Sequence, residues 1–145
     1  MAIRTAWTSR ARKFAAYLAN PAVANASQFD KVVDFRGGIK EKVQAKTSAS
    51  SITIDPKDGS IQSVTLDTNA TFTMSGFDTG SSVTIIITQD ATGSRTGTFT
   101  DGSNNVKFPG GDPTLSTDAN AIDAVTIVYD GTNYIGNIAQ DFTTG

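Results

Sequence analysis

From Ser51 onward the chain is cut into short runs rich in β-branched residues. The turns between them each place glycine beside Asp or Thr: Asp58-Gly59, Thr79-Gly80, Thr92-Gly93 and Asp101-Gly102. The runs are Ser51–Ile54, Ile61–Leu66, Ala70–Met74, Ser82–Thr88, Arg95–Thr100 and Asn105–Phe108. Two more follow, Ala124–Tyr129 and Tyr134–Ile138, joined through Asp130-Gly131-Thr132-Asn133 as a hairpin. Strands at such spacing predict a mainly β body, an antiparallel sandwich of jelly-roll type. Of 21 threonines, 19 lie after Lys46, which suits strands there.

The strand Ala124–Tyr129 is the most informative of the set. Val125, Ile127 and Tyr129 alternate with Ala124, Thr126 and Val128, so both of its faces read as dry. That pattern fits a central strand or a subunit interface, not an edge open to water. Val83, Ile85 and Ile87 line one face of the other strongly apolar strand; Phe72, Met74, Phe99, Phe108, Val125 and Ile127 complete the expected core. Leu115 is expected to pin the long loop Pro109–Ala121. A body of about 100 residues buries only about 60–65% of its unfolded surface. The chain holds no cysteine, so packing or assembly must supply its stability. Self-association is the natural completion, with Val125, Ile127, Tyr129 and Tyr134 as candidates for the contact.

The net charge of −2 hides a division. Residues 1–46 carry nine Lys or Arg against Asp30, Asp34 and Glu41, a balance of +6, whereas residues 47–145 carry −8. The boundary falls near the small polar stretch Thr47–Ser51, which divides a basic arm (1–46) from an acidic body (47–145). In the arm, residues 2–19 predict a helix: Ile3, Trp7, Ala11, Phe14 and Leu18 form one stripe at helical period. Asn20-Pro21 ends it. Beyond a connector at 22–30, Val33-x-Phe35 and Ile39-x-Glu41-x-Val43 flank Gly37-Gly38, the pattern of a hairpin; the Lys-Glu-Lys-Val-Gln run also tolerates a short helix. The stripe Ile3, Trp7, Phe14 and Leu18, with the cations Arg4, Arg10, Arg12 and Lys13, suits a groove on an acidic partner. The competing reading packs the same helix on its own body, with a solvated basic face.

Histidine is absent along with cysteine, so triads and thiol chemistry are excluded and zinc ligation is disfavoured. Paired carboxylates, Asp55 with Asp58 or Asp118 with Asp123, leave glycoside hydrolysis open, although aspartates in turns commonly bind their own backbone. Asp55-Pro-Lys-Asp58-Gly and Asp101-Gly-Ser-Asn-Asn105 resemble calcium loops superficially, without EF-hand spacing or its closing Glu. Neither metal nor cofactor is expected. Nucleic acid is disfavoured by the acidic body, and no stretch approaches the roughly 20 apolar residues of a membrane span. The cations within residues 3–18 argue against a secretory signal.

The segment Phe108-Pro-Gly-Gly-Asp-Pro-Thr-Leu-Ser-Thr-Asp-Ala-Asn-Ala-Ile-Asp-Ala-Val-Thr-Ile-Val-Tyr-Asp-Gly-Thr-Asn-Tyr-Ile-Gly, ending in Ala139-Gln-Asp-Phe, resembles a C-terminal module of structural proteins in tailed bacteriophages. Such modules occur in fibre-like, knob and capsid-decoration proteins. The resemblance implies a β-rich, trimeric, non-enzymatic module on the virion surface, made in the host cytoplasm and attached through its N-terminal segment. It favours a capsid-decoration, knob or short head-fibre protein docked on the major capsid protein. The alternative is a tail-fibre or adaptor module that binds a host receptor or glycan.

Overall fold

The computed structural model describes residues 36–142. The chain divides after Ile39, and the unit that begins at Lys40 carries every strand among the described residues, so residues 40–46, counted with the arm by charge, belong to the unit of the body. The helix expected over 2–19, with Ile3, Arg4, Trp7, Arg10, Arg12, Lys13, Phe14 and Leu18, lies outside the described residues, as does the first arm of the expected hairpin. Among the described residues there is no helix; the architecture is mainly β.

Eight strands follow in order: β1 Val43–Ala45, β2 Ser51–Ile54, β3 Ile61–Leu66, β4 Ala70–Met74, β5 Ser82–Gln89, β6 Gly97–Thr100, β7 Ile122–Tyr129 and β8 Tyr134–Ala139. They form a five-stranded sheet, β1-β3-β5-β7-β8, and a three-stranded sheet, β2-β4-β6. Up to β6 the chain alternates between the two sheets, so each strand pairs with the next but one and does so in parallel. Only β5-β7 and β7-β8 are antiparallel. The body is therefore a winding of three turns, closed by an antiparallel hairpin. This corrects the expected antiparallel, jelly-roll-like sandwich. Alternating side chains reveal which residues face inward, but not the direction of the neighbouring strand. Consecutive strands here face each other across the core instead of pairing.

Val43, placed by its sequence in a hairpin around Gly37-Gly38, instead opens β1 and pairs in parallel with Ile61. The run Asn105–Phe108 forms no full strand, but it has a structural task. Asn105 bridges Thr100 at the end of β6, and Lys107 bridges Ile135 in β8. Val106 N–H donates to Phe99 O, and Gly136 N–H to Lys107 O. One short segment thus ties the two sheets together along one edge, satisfying backbone groups that would otherwise remain open.

The core lies between the sheets. In register across the smaller sheet, Ile52, Phe72 and Phe99 are adjacent, and the two phenyl rings stack with centroids 4.9 Å apart. Opposite them lie Ile85, Ile87, Val125 and Ile127, all essentially inaccessible. Phe108 completes the cluster 5.4 Å from Phe99, and Leu115 is buried as expected of the residue that pins its loop. Three polar side chains share this interior, Gln62, Gln89 and Asp123. Each sits where a strand meets a corner. Gln89 receives Arg95 N–H at 2.8 Å and donates to Arg95 O at 2.9 Å, while Gln62 donates to Asp55 O and Gly59 O. Asp123 accepts from Ser116 N–H and Oγ and from Asp141 N–H, holding the long loop and the end of the chain against β7. These bonds fix the corners, and Gln62 Oε1 is the one buried side-chain oxygen or nitrogen among the described residues without a hydrogen-bond partner.

Gly136 faces this core in β8, and a Cβ there would overlap the Phe108 ring. We therefore expect Gly136→Ala to lower stability by about 1–3 kcal/mol, the usual cost of overpacking. Phe72→Ala should cost about 3–5 kcal/mol. Urea denaturation of the purified chain measures both.

Candidate functional site

Two regions of the body are candidates for contact with something else: the loop end around the β7–β8 turn, and the outer faces of the sheets.

At the loop end, Asp130 folds the turn upon itself. Its Oδ1 accepts the N–H groups of Thr132 and Asn133 at 2.7 and 2.6 Å, and Gly131 takes φ 99°, a conformation that favours glycine. The strand ends then bring Tyr129 and Tyr134 together, rings stacked at 4.5 Å, with Phe77 edge-on to Tyr134 at 5.3 Å. Burial raises the Tyr134 phenol above its ordinary pKa, with smaller contributions from Tyr129 and the Asp101 carboxylate. Beside Tyr134 opens a cleft of about 210 Å³ lined by Asp101, Asn104, Asn105, Lys107, Thr132 and Asn133. Most of its polar groups already have partners. Lys107 Nζ donates to Asn133 Oδ1, Asp101 Oδ1 accepts from Ser103 and Asn104 N–H, and Asn105 reaches Asp112. The cleft is smaller than the roughly 300–1,000 Å³ of sites that enclose a small molecule. It can offer a polar edge to an extended ligand.

Of the four carboxylates singled out by sequence, three are engaged within the chain, while Asp118 takes part through its backbone carbonyl, which accepts Ala121 N–H. Asp55 Oδ1 accepts Lys57 N–H, Asp58 pairs with Lys46 at 2.6 Å, and Asp123 is the buried anchor of the long loop. The sequence Asp101–Asn105, read as a superficial calcium loop, folds as an Asx turn.

The sheet faces differ from each other in kind. Outward positions of the smaller sheet are Ser51, Thr53, Thr71, Thr73, Thr98 and Thr100, hydroxyls throughout, set in two in-register rows. The five-stranded sheet turns out Val43, Ile61, Ile86, Ile122, Val128 and Ile135 among Ala, Ser and Thr, with Asn137 as the sole amide. No Asp, Glu, Lys or Arg interrupts it. Thr84 and Thr126 meet near its middle, hydroxyls 3.4 Å apart. Val43, Val128 and Ile135 are 59%, 42% and 49% exposed, high values for aliphatic side chains.

Four residues had been singled out for self-association. Val125 and Ile127 are wholly buried in their own core and leave nothing for a second copy to touch. Tyr129 and Tyr134 are partly buried at the hairpin turn, next to the cleft. On the same strand Thr126 and Val128 face out. The relative weight of apolar side chains misled the reading, because the larger aliphatics mark the core. The missed signal was the absence of charge at every outward position of five strands.

The fold and these surfaces give a setting for comparison with known proteins. Residues 46–134 match the family model described as "Putative phage tail fibre C-terminal domain". The chain belongs to this family. It is thereby a structural protein of the phage particle, of fibre-like kind. The matched segment starts just after β1, spans β2 to β7 and ends at the first residue of β8. No curated protein matches the chain.

Four carboxyls are held below their ordinary pKa. Asp58 is lowered by its bond to Lys46, Asp90 by Arg95, Asp101 by the Asn104 N–H and Asp130 by the Asn133 N–H. The unfolded chain protonates these groups first, so their contribution is complete above about pH 4 and fades as pH falls through the lower folded values. Thermal unfolding followed from pH 7 to 2 should show a steepening loss of stability below about pH 4, not a gain. Asp123→Ala should separately cost about 1–3 kcal/mol, because Ser116 N–H and Asp141 N–H lose their acceptor. Calorimetry checks this, and proteolysis within Pro109–Ala121 should accelerate.

Proposed function

We propose that this chain is a non-enzymatic terminal module of a tail fibre, attached by the basic stretch that precedes its β body and projecting that body from the particle. The observation that carries this reading is where the family match falls. It begins at Lys46, where the balance of charge turns from +6 to −8, and it takes in β2 to β7, the greater part of the acidic body, while leaving the basic residues before Lys46 outside. Such a division suits one part that docks and another that is displayed. The arm's Lys and Arg would meet an acidic virion partner, an association that salt weakens. Engagement of Asp55, Asp58 and Asp123 in turns and corners fits a structural task.

A second placement, capsid decoration with the arm on the major capsid protein, uses the same electrostatics and is favoured by the arm alone. For a fibre end, the cleft beside Tyr134 supplies a polar rim and an aromatic side chain, the combination that meets sugar rings or receptor loops.

Gold-labelled antibody raised against the purified protein tests the placement on intact particles. We expect label at the tail. Label spread over the head would favour decoration and overturn the tail position, and unlabelled particles would overturn both. If the cleft meets a host receptor, the purified chain should slow phage adsorption, and Asn105→Ala with Thr132→Ala, both exposed, should abolish that competition without unfolding the body.

A further inference from the structure

We infer that the outer face of the five-stranded sheet is the surface on which a second copy of this chain packs. This inference is independent of where on the particle the protein sits.

The molecule supplies its own control. Its smaller sheet shows what a water-facing side looks like in this chain: six hydroxyl residues, rows of Ser51-Thr71-Thr98 and Thr53-Thr73-Thr100. The larger sheet has the same strand chemistry but sets Val43, Ile61, Ile86, Ile122, Val128 and Ile135 outward. Its five strands, at about 4.8 Å spacing and about 20 Å length, present about 500 Å² of flat surface. A pair of such faces covers about 1,000 Å², the lower bound for a specific protein interface. Val43 and Ile61 lie side by side at one edge and Val128 and Ile135 at the other, with Thr84, Thr126 and Asn137 between them, so the face is apolar in patches and uncharged throughout.

The charge distribution selects the occupant. The stretch 47–145 carries −8, so two copies repel wherever their carboxylates approach. At this face no carboxylate or ammonium is present on either side. Charged residues next to the strands, Glu41, Lys42, Lys46, Asp67, Asp90, Asp130 and Asp141, lie at the ends of β1, β3, β5, β7 and β8 as a rim. An uncharged centre with a polar rim is the anatomy of a homotypic contact. A basic partner would be drawn to the acidic loops instead, and an acidic one would gain nothing here.

Light scattering of the full chain reads the mass as a multiple of 15.2 kDa. We expect a discrete oligomer that tightens as salt rises, because salt screens the repulsion between bodies. Val128→Lys and Ile135→Lys should each weaken assembly more than about tenfold by setting like charges together in the contact. Thr98→Lys, on the hydroxyl face, should leave the mass unchanged. Near-ultraviolet dichroism verifies that all three variants keep the native fold. A monomeric parent protein overturns the inference, and the face would then be covered within one chain or by another virion protein. An oligomer that dissolves with salt, or that survives both sheet-face lysines, also overturns it and assigns assembly to the basic arm and acidic body.

Discussion

Phe72 lies flat on Phe99 because their strands are parallel and in register, and the rest of the body is arranged to keep that stack enclosed. Stacked rings on adjacent strands fill one side of the core, and Ile85, Ile87, Val125 and Ile127 close it from the facing sheet. This requires the chain to change sheets after every strand, five times in succession from β1 to β6. Each crossing leaves a corner with backbone groups to satisfy. Gln62, Gln89 and Asp123 meet that need from inside, at the points where an aliphatic residue would have left the corner unsupported.

A winding has ends, and the two ends here are unlike. Where the parallel strands finish, Asn105–Phe108 stitches β6 to β8, and the β7–β8 hairpin completes the larger sheet. Backbone pairing is thereby completed at that edge without a long, open strand. The loops gathered by this closure, Asp101–Asn105 and Asp130–Asn133, form the cleft beside Tyr134. Structural closure and the polar cleft are the same local event, which is why the cleft's side chains are mostly bonded to one another.

The contrast between the sheets links fold to assembly. Both are built from Thr-rich strands, and both bury one face with aliphatic and aromatic residues. Only the smaller sheet presents hydroxyls alone to water. The larger keeps charge off its outer side entirely, although the body around it is strongly acidic. The body holds no disulfide, and the inferred contact with another copy would add burial to what a core of this size provides.

Much was legible before any fold was known. The bounds of β2, β3 and β4 follow directly from β-branched runs between turns, and Phe72, Phe99, Val125 and Ile127 announce the core by alternation. Charge placed a boundary near Lys46, whereas the compact unit begins at Lys40 and takes β1 with it. Three things were not legible. The windings differ in length, the register advancing from Val43 to Ile61 to Thr84 and from Ile52 to Phe72 to Phe99, so no repeat is visible. Buried Gln62, Gln89 and Asp123 look like ordinary surface polars until a corner is placed over them. The outward face of β7 read as dry in sequence, yet its meaning depended on β1, β3, β5 and β8 lying beside it with equally uncharged sides. Period-two alternation is a property of one strand and is written in the chain; strand direction, neighbours and the shared face arise only when distant segments meet. The sequence by itself determined the β-strands, their inward residues and the charge boundary, while tertiary structure decided the parallel winding, the corner bonds and which side of β7 is free.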